Sequence, residues 1–104
     1  DFILMGDFNM LAGSPEHAAL CGTPDTVFGL TPNARHAVDI ALYLDALEEH
    51  PVTWLDPHDP KDEARSKRLD YILTSAQLAR RLTSYRVDGA AVGSDHLPVW
   101  VELE

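Results

Sequence analysis

The chain has 104 residues, is 45% hydrophobic, and carries 17 acidic against eight basic side chains, for a formal net charge of −9 at pH 7. This length is enough for one small domain with a hydrophobic core and excludes two such domains. The acidic balance disfavours binding to duplex DNA or anionic lipid by net charge alone, although a bound metal ion reverses such a field locally. No apolar run approaches the roughly 20 residues of a membrane-spanning helix. A lone Cys21 excludes an internal disulfide.

The first half of the chain predicts one strand and two helices. Residues 1–5, DFILM, predict a buried strand. Ser14, Pro15 and Glu16 predict the start of a short helix through residue 20, because each is favoured at the position it would take in the first turn. Residues 22–35 are rich in Gly, Pro and Asn and predict a loop. Apolar residues at helical spacing predict a longer helix over residues 36–49, which Pro51 ends.

The second half predicts mostly strands. Residues 52–55, 68–74, 84–88 and 97–104 have the β-branched and aromatic content or the alternation of strands. Thr74 and Gln77 fit the two ends of a capping box for a helix over residues 76–82. Strands therefore alternate with two or three helices, which predicts an α/β (α+β) layered domain.

Polar side chains end or interrupt apolar segments at three places: Asp7 with Asn9, Asp70, and Asp95 with His96. Taken singly, each has an ordinary explanation, such as an Asx-turn, an ion pair with a neighbouring base, or a plain turn. Asp is nevertheless disfavoured within a strand, and a carboxylate beside a His raises the pKa of that His. Together they are the ingredients of a hydrolytic site with a divalent metal, and oxygen ligands suit Mg²⁺ or Mn²⁺.

The segments GDFN (6–9), RLDYIL (68–73) and SDHLPV (94–99), in that order, resemble the endonuclease/exonuclease/phosphatase superfamily, which has the deoxyribonuclease I-like fold. The resemblance implies a four-layer α/β sandwich, and it covers the C-terminal half of that fold. We therefore expect residues 1–104 to be the C-terminal part of a single domain. Its N-terminal half, with a metal-binding Glu, would then lie outside this chain.

The resemblance also implies roles for five residues. Asp7 corresponds to the Asp that activates the attacking water or binds a second metal ion, and Asn9 to the Asn that holds a phosphate oxygen or the nucleophile. Asp95 corresponds to a carboxylate near or on the metal. His96 corresponds to the His that contacts the scissile phosphate, and Asp70 to the Asp that orients this His. Mg²⁺ or Mn²⁺ is the implied cofactor.

The expected activity is metal-dependent hydrolysis of a phosphodiester or phosphomonoester by an activated water. Trp54 and Arg68 are candidate substrate contacts, with core packing for Trp54 and pairing with Asp70 for Arg68 as the alternatives. The substrate, whether nucleic acid, phospholipid or small molecule, stays open between nucleases of the exonuclease-III or abasic-site type and sphingomyelinase-type phospholipases. An inactive fragment and a non-catalytic binding relative are the alternatives of another class. No obligate protein partner and no compartment are indicated.

Overall fold

The computed structural model describes residues 1–22, 36–62 and 64–104, so that the predicted loop lies outside the described residues except for Gly22. No helix in these ranges has the length and apolar character needed to cross a membrane. The elements are β1 (Ile3–Asp7), α1 (Pro15–Cys21), β2 (Val38–Asp39), α2 (Ile40–Tyr43), β3 (Asp70–Thr74), α3 (Ala76–Ala79), β4 (Leu82–Val87) and β5 (Val99–Leu103). This mixture of helices and antiparallel strands confirms the predicted α/β (α+β) class.

The strands form two sheets. One has the order β1-β3-β2, with both outer strands antiparallel to β3, and the other is the antiparallel pair of β4 and β5. In the first sheet Ile3 is opposite Thr74 at one end and Asp7 is opposite Asp70 at the other. Asp7 and Asp70 therefore lie at the same end of the sheet, where the chain leaves β1 and where it enters β3.

Strand β3 is covered on both of its faces. Ile72 packs into the larger core cluster, whose other buried members come from β2, α2, α3, β4 and the segment before β5. Tyr71 and Leu73 point to the opposite face and pack with Met10 and Cys21. Two-sided burial explains why Tyr71 through Thr74 are all buried although their side chains alternate.

Helix α1 begins as predicted. The Ser14 hydroxyl accepts a hydrogen bond from the backbone N–H of His17 at 3.2 Å, Pro15 occupies the first turn, and Glu16 follows it. This cap satisfies one of the N–H groups that lack a partner at a helix start. The helix buries His17 and Cys21 against the sheet side of Tyr71.

The prediction of one helix over residues 36–49 is wrong. Only Ile40–Tyr43 is α-helical, and the two residues before it, Val38 and Asp39, pair with β3 as a strand. Asp45, in the left-handed region at φ 53°, ends the helical direction two residues after α2. The apolar stripe is real, because Ile40 and Ala41 are fully buried. Pairing with β3 and burial of the Asp39 carboxylate override the local helical pattern.

Two further expectations about strands are corrected. Strand β1 is exposed along its whole length, with Met5 at 63% exposure, and in the part of the chain that the structure describes it lies at the sheet edge and pairs with β3 alone. Residues 52–55, which were predicted to be a strand, belong to neither sheet. Instead Trp54 makes isolated bridges to Lys67 and His96.

The capping box is also wrong. Thr74 is the last residue of β3, and its hydroxyl donates to the carbonyl of Ser75 at 3.0 Å. Ser75 is the residue that precedes helix α3, and it makes no side-chain capping bond there. The strand therefore continues one residue further than the box requires.

Candidate active site

Antiparallel pairing brings Asp7 and Asp70 together. Asp7 ends β1, Asp70 begins β3, and the two are register partners, with a further backbone bond of 3.0 Å from the Phe8 N–H to the Leu69 carbonyl. Directly opposed residues on neighbouring strands have adjacent side chains. Gly6, immediately before Asp7, has φ 144°, a backbone angle that residues with a Cβ rarely adopt. Local backbone geometry thus favours glycine at the position that leads into the acid pair.

His96 lies between these two carboxylates. Its Nδ1 is 2.8 Å from Asp70 Oδ2, and its Nε2 is 3.7 Å from Asp7 Oδ2. Because an ionised carboxylate only accepts, Nδ1–H donates to Asp70, which leaves Nε2 facing Asp7. The hydrogen bond that His96 donates to Asp70 is the largest cause that raises the pKa of His96. Burial opposes the rise, and the charges of Asp70, Asp7 and Asp95 add to it.

Asn9 is fixed beside Asp7 by a local turn. Its backbone N–H donates to Asp7 Oδ1 at 2.8 Å, and its φ of 52° lies in the left-handed region. Asn adopts that region more readily than most residues with a side chain. The Asx-turn that was the ordinary explanation for this pair is therefore present. The turn also holds the exposed Asn9 next to Asp7.

Asp95 and Trp54 are joined by a hydrogen bond. The indole Nε1–H donates to Asp95 Oδ2 at 3.0 Å, and Asp95 itself is exposed. The Lys67 ammonium lies over the same indole, 5.9 Å from the ring centroid. Trp54 therefore lies beside His96 through its backbone bridge and beside Asp95 through its side chain.

The residues present fit a divalent cation. Asp7, Asp70 and His96 each offer one ligand atom, and these atoms lie within 4.8 Å of one another. Asp95 is not a member of that group, although its charge contributes to the raised pKa of His96. Carboxylate oxygens are the ligands that Mg²⁺ and Mn²⁺ prefer.

Arg68 lies away from this group, in a buried cluster that the sequence did not reveal. Its two terminal nitrogens donate to the Asp39 oxygens at 3.0 and 2.8 Å, and Asp39 Oδ2 also lies 2.9 Å from His17 Nε2. Its guanidinium also stacks on Tyr71, 4.4 Å from the ring centroid. A single carboxylate thus engages Arg68, rather than a phosphate or Asp70. The only local signal was an Asp within an apolar segment, HAVDIAL.

Comparison with known proteins identifies the family of the chain. A family model described as "Endonuclease/Exonuclease/phosphatase family" matches residues 1–96, and the chain belongs to that family. Its members are hydrolases that act on phosphate esters. The family predicted from the three segments is confirmed.

One curated relative is a DNA-(apurinic or apyrimidinic site) endonuclease of Arabidopsis thaliana, 32% identical over 103 aligned residues. The match covers 86% of this chain and 28% of the relative, so the chain spans about a quarter of the relative's length. No solved structure was found to match the chain.

Proposed function

We propose that this chain carries the His96 side of a metal-dependent phosphodiesterase site that cleaves nucleic acid. The observation that carries the proposal is the alignment of Asp70, His96 and Asp7, with Nδ1 2.8 Å from one carboxylate and Nε2 3.7 Å from the other. Such an arrangement fixes the orientation of an imidazole at a half-exposed surface. An oriented acid–base group beside carboxylates suits the hydrolysis of a phosphate ester.

Four residues act on the histidine, the water or the substrate in this proposal. Asp70 holds the His96 ring by accepting from Nδ1, and its charge favours the imidazolium. The Nε2–H of that imidazolium then donates to a phosphate oxygen, where negative charge grows during the reaction. Asp7 accepts a proton from the attacking water or aligns it. Asn9, held next to Asp7 by its turn, donates its side-chain amide to the substrate.

A divalent ion fits the same place. We assign Asp7 and Asp95 to hold Mg²⁺ or Mn²⁺: Asp7 belongs to the group whose ligand atoms lie within 4.8 Å of one another, and Asp95, which is outside that group, is an exposed carboxylate whose charge acts on His96. When bound, the ion supplies positive charge that neutralises the phosphate during hydrolysis. Substrate access requires exposed ligands, and the 45% exposure of the Asp7 side chain meets that requirement.

Nucleic acid is the substrate class with the most support. The relative named above is an endonuclease of DNA with abasic sites. Lys67, exposed and stacked on Trp54 next to Asp95, is a cation placed where a backbone phosphate can reach it. The net charge of −9 argues against broad electrostatic attraction to duplex DNA. We therefore propose contact with a few phosphates at the site rather than along an extended basic track.

The test uses the full-length protein that contains these residues, with Mg²⁺ and three substrates: duplex DNA with one abasic site, intact duplex DNA, and sphingomyelin vesicles. We expect cleavage of nucleic acid that EDTA abolishes. His96→Ala should reduce kcat/KM by about 10²–10⁴-fold, the usual contribution of a general acid or base. His58→Ala, which alters an exposed histidine of the polar loop, serves as the matched control.

Four outcomes would count against parts of the proposal. Full activity of the His96→Ala protein, or activity unaffected by EDTA, would contradict the assigned chemistry. Hydrolysis of sphingomyelin without any cleavage of nucleic acid would replace the substrate class. Inactivity of the wild-type protein on every substrate would favour the non-catalytic alternative.

A further inference from the structure

We propose that Thr53 and Trp54 are positioning residues of the active site, holding the backbone of Asp70 and the carboxylate of Asp95 respectively. This inference rests on the proposed function and names two residues to which it gives no task. Neither side chain belongs to the group that could hold the metal ion. Both lie on one short segment that bonds to the chain at Asp70 and to the chain on either side of His96.

Thr53 contacts the region of Asp70 through its side chain. Its Oγ1 accepts hydrogen bonds from the backbone N–H groups of Leu69 and Asp70, each at 3.0 Å. Thr53 is completely buried, so water cannot replace this acceptor. The hydroxyl therefore holds the backbone at the residue where β3 begins and where Asp70 turns toward His96.

The backbone of the same segment contacts the region of His96. The Thr53 carbonyl accepts from the Leu97 N–H at 2.8 Å, and the Leu55 N–H donates to the Asp95 carbonyl at 2.9 Å. The two bonds bracket His96 on either side. Thr53 thus links the backbone of Asp70 to the backbone next to His96, and the 2.8 Å contact between those two side chains depends on both anchors.

Trp54 completes the segment. Its backbone N–H and carbonyl both bond to Lys67, at 2.9 and 3.0 Å, and its indole holds Asp95. A neutral donor on an exposed carboxylate fixes its direction without cancelling its charge. In this proposal the indole fixes the orientation of the Asp95 carboxylate, and the carboxylate remains a negatively charged ligand for the metal ion.

The decisive experiment compares Thr53→Val with Thr53→Ser in the full-length protein. Valine has the shape of threonine but no acceptor, whereas serine keeps the hydroxyl. We expect kcat to fall about 10- to 100-fold in the valine variant, as for other residues that orient a catalytic group, with KM changed less than threefold. Serine should restore kcat to within a few-fold of wild type. Thr74→Val, at a fully buried threonine of the far end of β3, is the control and should retain kcat.

Hydrogen exchange separates this inference from the proposed function. The backbone amides of Leu69 and Asp70 should exchange at least tenfold faster in Thr53→Val than in Thr53→Ser, whether or not the protein cleaves nucleic acid. Unchanged exchange would overturn the role of Thr53, and so would an active wild type whose kcat is the same in both variants.

Trp54 is tested by Trp54→Phe, which keeps an aromatic ring and removes the N–H. We expect the Kd for Mn²⁺, measured by titration calorimetry without substrate, and the concentration of Mg²⁺ for half-maximal activity both to rise about 10-fold, because Asp95 loses its fixed direction. Trp100→Phe alters the exposed tryptophan of β5 and should leave that concentration unchanged. Equal Mg²⁺ dependence in the Trp54→Phe and wild-type proteins would overturn the role assigned to the indole.

Discussion

His96 receives its properties from two carboxylates in different surroundings. The Asp70 side chain is 18% exposed and bonded to Nδ1, whereas that of Asp7 is 45% exposed and 3.7 Å from Nε2. Screening by water weakens the more exposed charge. The tautomer and orientation of the ring are therefore controlled by Asp70. Asp7 stays available for water, metal or substrate.

The first prediction concerns Asp70→Asn. The pKa of His96 should fall, because the charged hydrogen-bond acceptor that contributes most to its rise is removed. NMR titration of the His96 ring measures that fall. The kcat should decrease about 10- to 100-fold, with its pH profile shifted in the same direction. Asp88→Asn, which alters a carboxylate that caps the Ala90 N–H, is the control. An unchanged His96 pKa would refute the pairing.

The same pairing has a defined effect on stability. Since the pKa of His96 is raised in the folded protein, its contribution is fully present below the unfolded pKa of about 6.5. That contribution is lost as pH rises through the folded-state pKa. The site therefore gains proton-linked stability on the acid side of neutrality, and the partial exposure of His96 keeps this gain small.

Asp7, Asp70 and His96 were accessible to sequence reasoning for a physical reason. Each lies at the end of a short apolar segment, where a polar residue has an ordinary explanation when taken singly, but the three ordered segments together resemble those of a known family. Thr53 was not accessible. Its hydroxyl acts on amides 16 and 17 residues away, and a threonine within VTWL looks like any strand residue.

The secondary-structure elements are tied together by the buried group of Asp39, Arg68 and His17. Arg68 leads into β3, Asp39 lies in β2, and His17 belongs to α1. Burial opposes ionisation of Asp39, but hydrogen bonds from His17 and Arg68, together with their charges, lower its pKa overall. All three elements thus depend on one carboxylate.

The second prediction is that Asp39→Asn destabilises the full-length protein by about 3–5 kcal/mol, because Arg68 is left as a buried charge without its partner. Urea unfolding measures the loss. The double variant Asp39→Leu with Arg68→Met should recover much of it, since it leaves no unpaired charge. Asp45→Asn, at an exposed turn, is the control. A loss below about 1 kcal/mol for Asp39→Asn would show that the ion pair contributes little to the free energy of unfolding.

The pH dependence of that group has the opposite sign to that of His96. The folded-state pKa of Asp39 is lowered, so its stabilisation is present above the unfolded value of about 3.9 and disappears as pH falls through the folded-state pKa. The Asp39→Asn protein should therefore lose less stability than wild type on acidification below about pH 4. The stabilisation from His96 is thus lost as pH rises, and the stabilisation from Asp39 is lost as pH falls.

The helix predicted over residues 36–49 shows where local pattern fails. Ile40 and Ala41 are buried as the helical spacing requires. The backbone at Val38 and Asp39 nevertheless pairs with β3, and the Asp39 carboxylate meets Arg68 from 29 residues away. A spacing rule registers apolar residues, but it does not register a distant strand or cation. Helix α1, whose start depends on a local cap, was predicted correctly.

The distribution of apolar surface supports the proposal that residues 1–104 form the C-terminal part of a larger domain. Phe2 and the first three residues of β1, Ile3, Leu4 and Met5, are exposed in succession, and among the described residues β1 has one neighbouring strand. Contiguous exposed apolar side chains usually mark a surface that another element covers. The match to only 28% of the curated relative is in keeping with this proposal.

The third prediction is that the 104-residue chain alone is poorly stable or aggregates. Small domains have net stabilities of only about 5–15 kcal/mol, and an uncovered apolar edge strand is a route to association. Thermal unfolding followed by circular dichroism, with light scattering, measures both. Met5→Lys should reduce the aggregation, and Val92→Lys, at an exposed loop residue, is the matched control. A sharp cooperative transition of a monodisperse chain would refute the prediction.

The pairing of β1 with β3 also makes the proposed catalysis sensitive to local opening of β1. Asp7 lies beside Asp70 and His96 only while β1 is paired with β3 in this register. A shift of β1 by one residue would turn the Asp7 side chain to the other face of the sheet. Edge strands open with smaller free energies than a core does. Urea should therefore abolish hydrolysis at concentrations that leave the surroundings of Tyr71 and Tyr85 intact, measured by near-ultraviolet circular dichroism. Coincident loss of both signals would instead mean that β1 and the core melt as one unit.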